Sequence, residues 1–356
     1  MEHERLFYLA WQLLLPGQSR RCHDILKVCS SARAAFSASL SDMVPVLGKV
    51  QAEEVLKRRD VLDIGSETDK LKRAGVGFVT LIDDDYPALL REIFDPPAAL
   101  FFRGELRPAE TAVAVVGTRR CSNYGRSVAE RLGRELAEAG VAVVSGLARG
   151  IDAAAHRGTL AAGGRTVAVL GTGLDVCYPS ENQRLMEEIA VKGAVVSEFP
   201  LGMHGHPWQF PVRNRIIAGL SRAVVVVEAG ERSGALITAD LALEQGREVM
   251  AVPGNVTSPA SRGPNNLLRM GARPVTCAGD ILEGIGLGTL LGEIRGTPAL
   301  NDLEAELLEM LGREMLSQEN LIQRTGMPAH KVLAGLVYLE LKGLIRSLPG
   351  GLYFRS

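Results

Sequence analysis

From about residue 111 the hydrophobic pattern is one of short β-branched runs alternating with longer amphipathic stretches. The runs are VAVVG at 113–117, VAVVSG at 141–146, TVAVLG at 166–171, AVVSEF at 194–199, AVVVVEA at 223–229, EVMAVPG at 248–254 and PVT at 274–276. They are continuously apolar rather than alternating, which predicts strands buried on both faces. Between them, segments such as GRSVAERLGRELAEAG and ALITADLALEQG carry apolar residues at helical spacing. Apolar strands joined by crossover helices predict a Rossmann-like, doubly wound, mostly parallel α/β sheet. Its ligand is expected beyond the carboxyl ends of the strands.

The flanks have different periods. Residues 1–70 read as a helical domain, with LFYLAWQLLL, SDMVPVLGKVQAEEVLKRR and GSETDKLKRAG broken by Pro and Gly. Residues 71–110 read as a lead-in to the sheet, one short strand, a turn and another strand, so the central domain spans 71–285. Residues 286–299 are glycine-rich and read as a linker. Residues 300–356 read as three helices followed by a hairpin turning at Pro349, Gly350 and Gly351, a winged-helix pattern.

Composition narrows the class. A length of 356 residues suits two or three domains, and 46% hydrophobic residues suit packed cores. A formal net charge of -1 means that any nucleic-acid site is local. The five cysteines form no CxxC pair, and their odd, scattered set fits a reducing, cytoplasmic setting. The N-terminal stretch lacks the basic region and cleavage site of a signal peptide, and no apolar run is long enough to span a bilayer. From residue 300 onward, six basic residues face seven acidic ones. The expected recognition helix offers mainly His330 and Lys331, so charge does not support duplex binding there, and a protein contact is as good a reading.

Candidate chemistry gathers at the strand ends. Most strands of the central domain run into glycine followed by polar or basic residues: VVGTRRCSNYG, SGLARGIDAAAH, LGTGLDVCYPSEN, FPVRNRIIAG and EAGERSGALIT. Glycine lets a ligand approach the backbone, and backbone N–H groups with Arg forks suit phosphate oxygens. Lys192 is the one lysine of residues 111–285, a bias toward bidentate contact. FPVRNRIIAG raises a particular question. A helix with Ile216, Ile217 and Leu220 on its apolar face would carry Arg213, Asn214 and Arg215 in or just before its first turn, where acids are favoured. Either nearby carboxylates neutralise the arginines or the site holds an external anion.

Other motifs are missing or ambiguous. There is no GxGxxG, no GxxxxGK[ST] and no GxSxG, hence no dinucleotide fingerprint, P-loop or nucleophile elbow. His156 follows Asp152 by one helical turn; a general acid–base pair is conceivable, and a structural link from helix to loop is preferred. Asp175 and Glu228 stand at strand ends as candidate catalysts or as partners of the arginines, the latter preferred for Glu228. His204 and His206 lack enough neighbouring ligands for a metal site. Trp208 and Phe210 are either core anchors or base-stacking rings.

Taken together, these strings resemble the DprA (Smf) family of DNA-processing proteins, along the whole central domain and in the family's order, through ALEQGREVMAVPG and GPNNLLRMGA. The resemblance implies a single-stranded DNA-binding protein that protects incoming DNA and loads RecA in natural transformation. It implies a homodimer, no catalysis, no nucleotide cofactor and no metal, with single-strand-binding protein as a further partner. It also implies a SAM-like N-terminal domain. The family's phosphate loop matches Gly117, Thr118 and Arg119, with Ser122 at its end. Its arginine motif matches Phe210, Arg213, Asn214 and Arg215. Its SGSLIT motif keeps Ser233 and Gly234 but has Ala235. On this reading Arg213 and Arg215 face the DNA backbone with Arg119 and Arg149. Phe210 stacks a base, and Gly117, Gly146, Gly150 and Gly171 let phosphates approach. The competing reading is a nucleotide or nucleoside-phosphate hydrolase using Asp175 or Glu228, although the PGGxGTxxE motif of related phosphoribohydrolases is missing.

Overall fold

The structure, a computed structural model, describes residues 2–288, 302–312, 315–341, 344–348 and 351–355. These form two compact units, one ending at Gly288 and the other C-terminal to it. Residues 289–299 of the expected linker, and Pro349 and Gly350 of the expected turn, lie outside the described residues.

Six helices open the first unit: α1 (Glu2–Leu14), α2 (Ser19–Val28), α3 (Ala32–Phe36), α4 (Leu40–Leu47), α5 (Lys49–Val61) and α6 (Ile64–Arg73). They share a core around Trp11, Leu14, Met43 and Val55. The lead-in supplies β1 (Gly77–Thr80), a short helix α7 (Ala88–Arg91) and β2 (Ala99–Gly104). The wound region follows as β3 (Ala112–Val116), α8 (Asn123–Glu138), β4 (Ala142–Ser145), α9 (Ile151–Ala161), β5 (Thr166–Val169), α10 (Gln183–Lys192), β6 (Ala194–Ser197), α11 (Gln209–Gly219), β7 (Ala223–Val226), α12 (Gly234–Glu244), β8 (Glu248–Ala251), α13 (Arg262–Arg269), β9 (Arg273–Pro274) and α14 (Ala278–Gly284).

The strands form one nine-stranded sheet in the order β1-β2-β6-β5-β4-β3-β7-β8-β9. From β6 to β9 every pair is parallel. The lead-in strands extend one edge as antiparallel partners, with Phe101 opposite Phe78 and Ser197. All of β3, β4, β5, β6 and β7 is buried, as their uninterrupted apolar runs predict. One face packs on Ile216 and Ile217 of α11 and Ala239 of α12. The other, toward β2 and β6, packs on Met186 and Ile189 of α10 and on Leu9 and Leu13 of α1. The chain walks from β3 out to β6 and then returns to place β7 on the other side of β3. The sheet therefore has its switch point between β3 and β7, where folds of this kind open a crevice.

The second unit has helices Asp302–Leu311, Gln318–Thr325 and Ala329–Leu341 and a three-stranded sheet, Leu316–Ser317, Ile345–Leu348 and Leu352–Arg355. Leu307, Leu321, Leu336 and Leu339 fill its core. This is the winged helix that the pattern predicts. No described helix is long and apolar enough to cross a membrane.

One expectation about α11 is corrected. The helix begins at Gln209, so Arg213 and Arg215 lie in its second turn and not at its N-terminus. Pro211 fits within the first turn because an N–H there has no intrahelical partner to lose. The Gln209 carboxamide extends the start of the helix by accepting the N–H of His206.

Candidate functional site

Beyond the carboxyl ends of the strands lies a cleft of about 630 Å³. The loop after β3 gives it Gly117, Thr118, Arg119 and Arg120; α11 gives it Phe210, Arg213 and Asn214; the start of α12 gives it Ser233 and Gly234; and the loop after β5 gives it Tyr178. The structure thus brings together residues from four separate motifs of the sequence.

The chemistry of the cleft is cationic and aromatic. Arg119 is exposed and has no ion pair among the described residues. Its guanidinium lies 5.3 Å from the centroid of Phe210. Phe210 in turn meets the ring of Tyr178 at 5.3 Å and a tilt of 41°. Arg213 forms the floor. It donates from Nη1 to the carbonyls of Gly146, at 2.8 Å, and Val169, and from Nε to Asn214 Oδ1 at 3.3 Å. Asn214 passes the network on to the Gly234 carbonyl, and Ser233 caps α12. Burial lowers the Arg213 pKa to about 10, opposed by Asp152 and reinforced by the charge of Arg119. Two guanidinium groups thus share one site with a single buried carboxylate, and Asp152 is itself engaged by the backbone N–H groups of Gly146 and Ala148. Positive charge in so dry a place favours an anion from outside.

Several sequence expectations change here. Arg215 does not face the cleft. Its Nε meets Asp95 at 2.9 Å and its Nη2 meets Glu198 at 2.8 Å, with Ser19 Oγ at 2.7 Å. This is the internal neutralisation that stood as the other answer to the question of the two arginines. Burial opposes its charge, but Glu198 and Asp95 outweigh that and raise its pKa. Glu228 is not the partner of either arginine. It accepts from Ser122 N–H at 2.8 Å and from Ser122 Oγ–H at 2.5 Å, at the N-terminus of α8. A Cβ at Gly125 would lie 2.3 Å from that carboxylate, so this glycine is what admits it. Ser122 is consequently bound to a carboxylate of the protein rather than turned to an external phosphate. Arg149, too, is paired, with both branches on Glu181 at 2.7 Å, although both side chains are more than half exposed.

The glycines also act differently from the expectation. A Cβ at Gly146 would meet the Arg213 guanidinium at 2.6 Å, and one at Gly171 would meet the Phe210 ring at 3.0 Å. At Gly117 the neighbour is Ile151, and at Gly150, which has φ +76°, it is the Thr118 carbonyl. These glycines make room for the protein's own parts, and a ligand meets the side chains so placed. Gly234 alone of the expected set has open space at its Cβ.

The candidate catalysts are committed elsewhere. Asp175 accepts the N–H of Gly202. Asp152 ties α9 to the loop after β4, the helix-to-loop link preferred from sequence. His156 points away from it, with Nδ1 2.7 Å from Thr166 Oγ1. That hydroxyl spends its hydrogen on the Val143 carbonyl, so Nδ1 carries the ring proton and donates. His204 and His206 are exposed, and among the described residues no His, Cys, Asp and Glu group could hold a metal. Trp208 stands edge-on to Phe199 at 5.9 Å, outside the cleft. Sequence reasoning missed Arg120 and Tyr178. The available signal was position, since both follow strand-end glycines in the loops that close the cleft.

The chain and its fold have counterparts among known proteins. A family model described as DNA recombination-mediator protein A matches residues 77–286, and one described as the DprA winged helix domain matches residues 295–351. Protein Smf of Synechocystis is 34% identical over 394 residues, covering 99% of each chain. Protein Smf of Escherichia coli is 43% identical over 276 residues, covering 75% of this chain and 74% of that one. The solved DprA structure from Streptococcus pneumoniae superposes with a TM-score of 0.69 at 37% identity, covering 78% of this chain and 97% of that one. A structure of DprA from Helicobacter pylori, reported for its single-stranded DNA binding mode, gives a TM-score of 0.54 at 29% identity, covering 61% and 96%. With the wound sheet and the winged helix both matched, the chain belongs to the DprA (Smf) family of DNA recombination mediators.

Proposed function

We propose that this chain binds single-stranded DNA in the strand-end cleft, with Arg119 and Arg213 on the backbone and the adjoining rings against the bases. The observation that carries this reading is the lack of internal compensation. Arg119 is exposed, has no ion pair among the described residues and stands over an aromatic ring beside a second, buried arginine. Cationic grooves with stacking rings suit single strands, whose bases are free to leave the helix. The α8 N-terminus, where this fold would cradle a dinucleotide phosphate, is filled by Glu228. The Helicobacter pylori relative supports the same ligand class.

Within this reading the protein is a cytoplasmic, non-catalytic mediator. It acts as a homodimer, shields the incoming strand and hands it to RecA, with single-strand-binding protein as a further partner. Arg149 joins the site by exchanging Glu181 for a phosphate. Fluorescence anisotropy with labelled oligo-dT and an equal-length duplex, across a salt series, tests the binding. The expected result is preference for the single strand and a log–log salt slope of roughly -0.7 per phosphate neutralised. Equal affinity for the two, or none, removes the reading. RecA filament formation on coated single strands, with and without the protein, tests the handover.

A further inference from the structure

The two arginines of α11 have their partners, but α2 carries two more that do not. Arg20 and Arg21 lie in its first turn, with no acid beside them. A cation there weakens a helix, so the stability of α2 does not explain them. Both are exposed. Neither forms an ion pair among the described residues, and Asp24, one turn on, pairs with neither. Arg21 gives one N–H to the neutral Gln18 carboxamide at 3.1 Å. Arg20 lies 5.0 Å from the centroid of Phe94, a ring that is 78% exposed. By contrast, Arg58 and Arg59 of α5 are spent on backbone carbonyls.

This patch adjoins the cleft. Pro207 lines the cleft. The next residue, Trp208, lays its indole against the turn between α1 and α2, where a Cβ at Gly17 would lie 2.9 Å from it. Trp208 is 47% exposed. Below the surface, Arg215 ties Ser19 to Asp95, which brings their chain neighbours Arg20 and Phe94 together. From the cleft outward the surface therefore runs through Trp208, Arg20 and Phe94. Rings interleaved with guanidinium groups are the make-up of a track for a single strand.

We infer that a single strand leaving the cleft continues over the α1–α2 turn onto the N-terminal helices, with Arg20 and Arg21 on its phosphates and Trp208 and Phe94 beside its bases. This rests on the reading of the cleft as a single-strand site and adds a second surface to it. Two uncompensated cations next to those of the cleft favour the same polyanion over a protein partner.

The test uses the full chain and oligo-dT of about sixteen nucleotides, long enough to leave a single groove. The double variant Arg20→Ala, Arg21→Ala is expected to bind it about 4- to 25-fold more weakly, two exposed contacts each worth two- to fivefold. Its log–log salt slope should flatten by about 1.4, the share of two phosphates. The double lysine variant should recover most of both, and the urea midpoint should stay where it was. Binding should also quench tryptophan fluorescence through Trp208, because Trp11, the other tryptophan, is fully buried. If the parent protein binds oligo-dT and the double alanine variant binds it with the same affinity and slope, the strand does not cross this surface, whatever the fluorescence does. The patch then falls to a protein partner and the cleft reading survives. If the parent protein binds no single strand, the cleft reading fails and this inference fails with it.

Discussion

Two residues apart on α11, Arg213 and Arg215 are equally buried, at 4% exposure each, yet they meet opposite surroundings. On the seam between the sheet and the N-terminal helices, Arg215 has carboxylates from two other segments and a hydroxyl from α2. On the cleft side, Arg213 has two carbonyls, an amide oxygen and a share of Asp152, with the like charge of Arg119 above it. The seam satisfies its cation from within, and the result is a tie between domain parts. The cleft does so incompletely and leaves positive potential for something that arrives later. The lesson is that burial alone does not separate a structural arginine from a binding one. What separates them is whether the protein supplies the opposite charge.

Breaking the seam should produce the largest effect. Arg215→Met leaves Glu198, which is fully buried, without its cation. The expected loss is about 3–5 kcal/mol of stability, read as a lower urea midpoint. The double variant with Glu198→Gln should recover part of it. A loss below about 1 kcal/mol would mean that the seam pair is not structural.

Acid should report the buried imidazole of His156. Burial holds the His156 pKa down at about 3, and the nearby charges of Arg213 and Arg157 push the same way. Its Nε2 has no hydrogen-bond partner, so a proton there would be buried bare. In the unfolded chain this ring titrates near the ordinary value of about 6.5. Between these two values the unfolded state binds the extra proton, so stability is full above about pH 6.5 and falls as pH drops toward 3. The total is on the order of 4 kcal/mol for the full shift. Denaturation curves of the parent protein and of His156→Gln at successive pH values should differ in slope within that window. Parallel slopes would refute the assignment.

Smaller effects sharpen the cleft side. Arg119→Ala should weaken single-strand binding about 10- to 100-fold, the worth of a charge-assisted contact. Its stability should change by no more than about 0.5 kcal/mol, as for an exposed residue. The reverse pattern, stability lost and affinity kept, would put Arg119 in the class of Arg215. Smallest of all, Glu181→Gln frees Arg149 from an exposed pair and should raise affinity by about two- to fivefold, with a steeper salt slope. Unchanged affinity and slope would leave Arg149 outside the site.

Much of this protein follows from local order along the chain. The buried strands from β3 to β8, their crossover helices, the two lead-in strands and the winged helix are all written in spacings of two to four residues. Those spacings decide which side of each element is apolar, and two apolar faces on a strand leave parallel packing as the way to cover both. The place of the cleft follows too, because it is a property of winding order. Side-chain partnership was beyond this reach. Arg215 finds Ser19 and Asp95, Glu228 finds Ser122, and Tyr178 finds Phe210, each across a long stretch of chain. Nothing in the local spacing of FPVRNRIIAG tells which arginine turns inward. The direction is set once the sheet and the N-terminal helices close around α11, because a buried cation must go where a carboxylate or a carbonyl already stands. The glycines carry the same lesson. Their positions are plain in the sequence, but only the packed structure shows that they yield space to Arg213, Phe210 and Glu228.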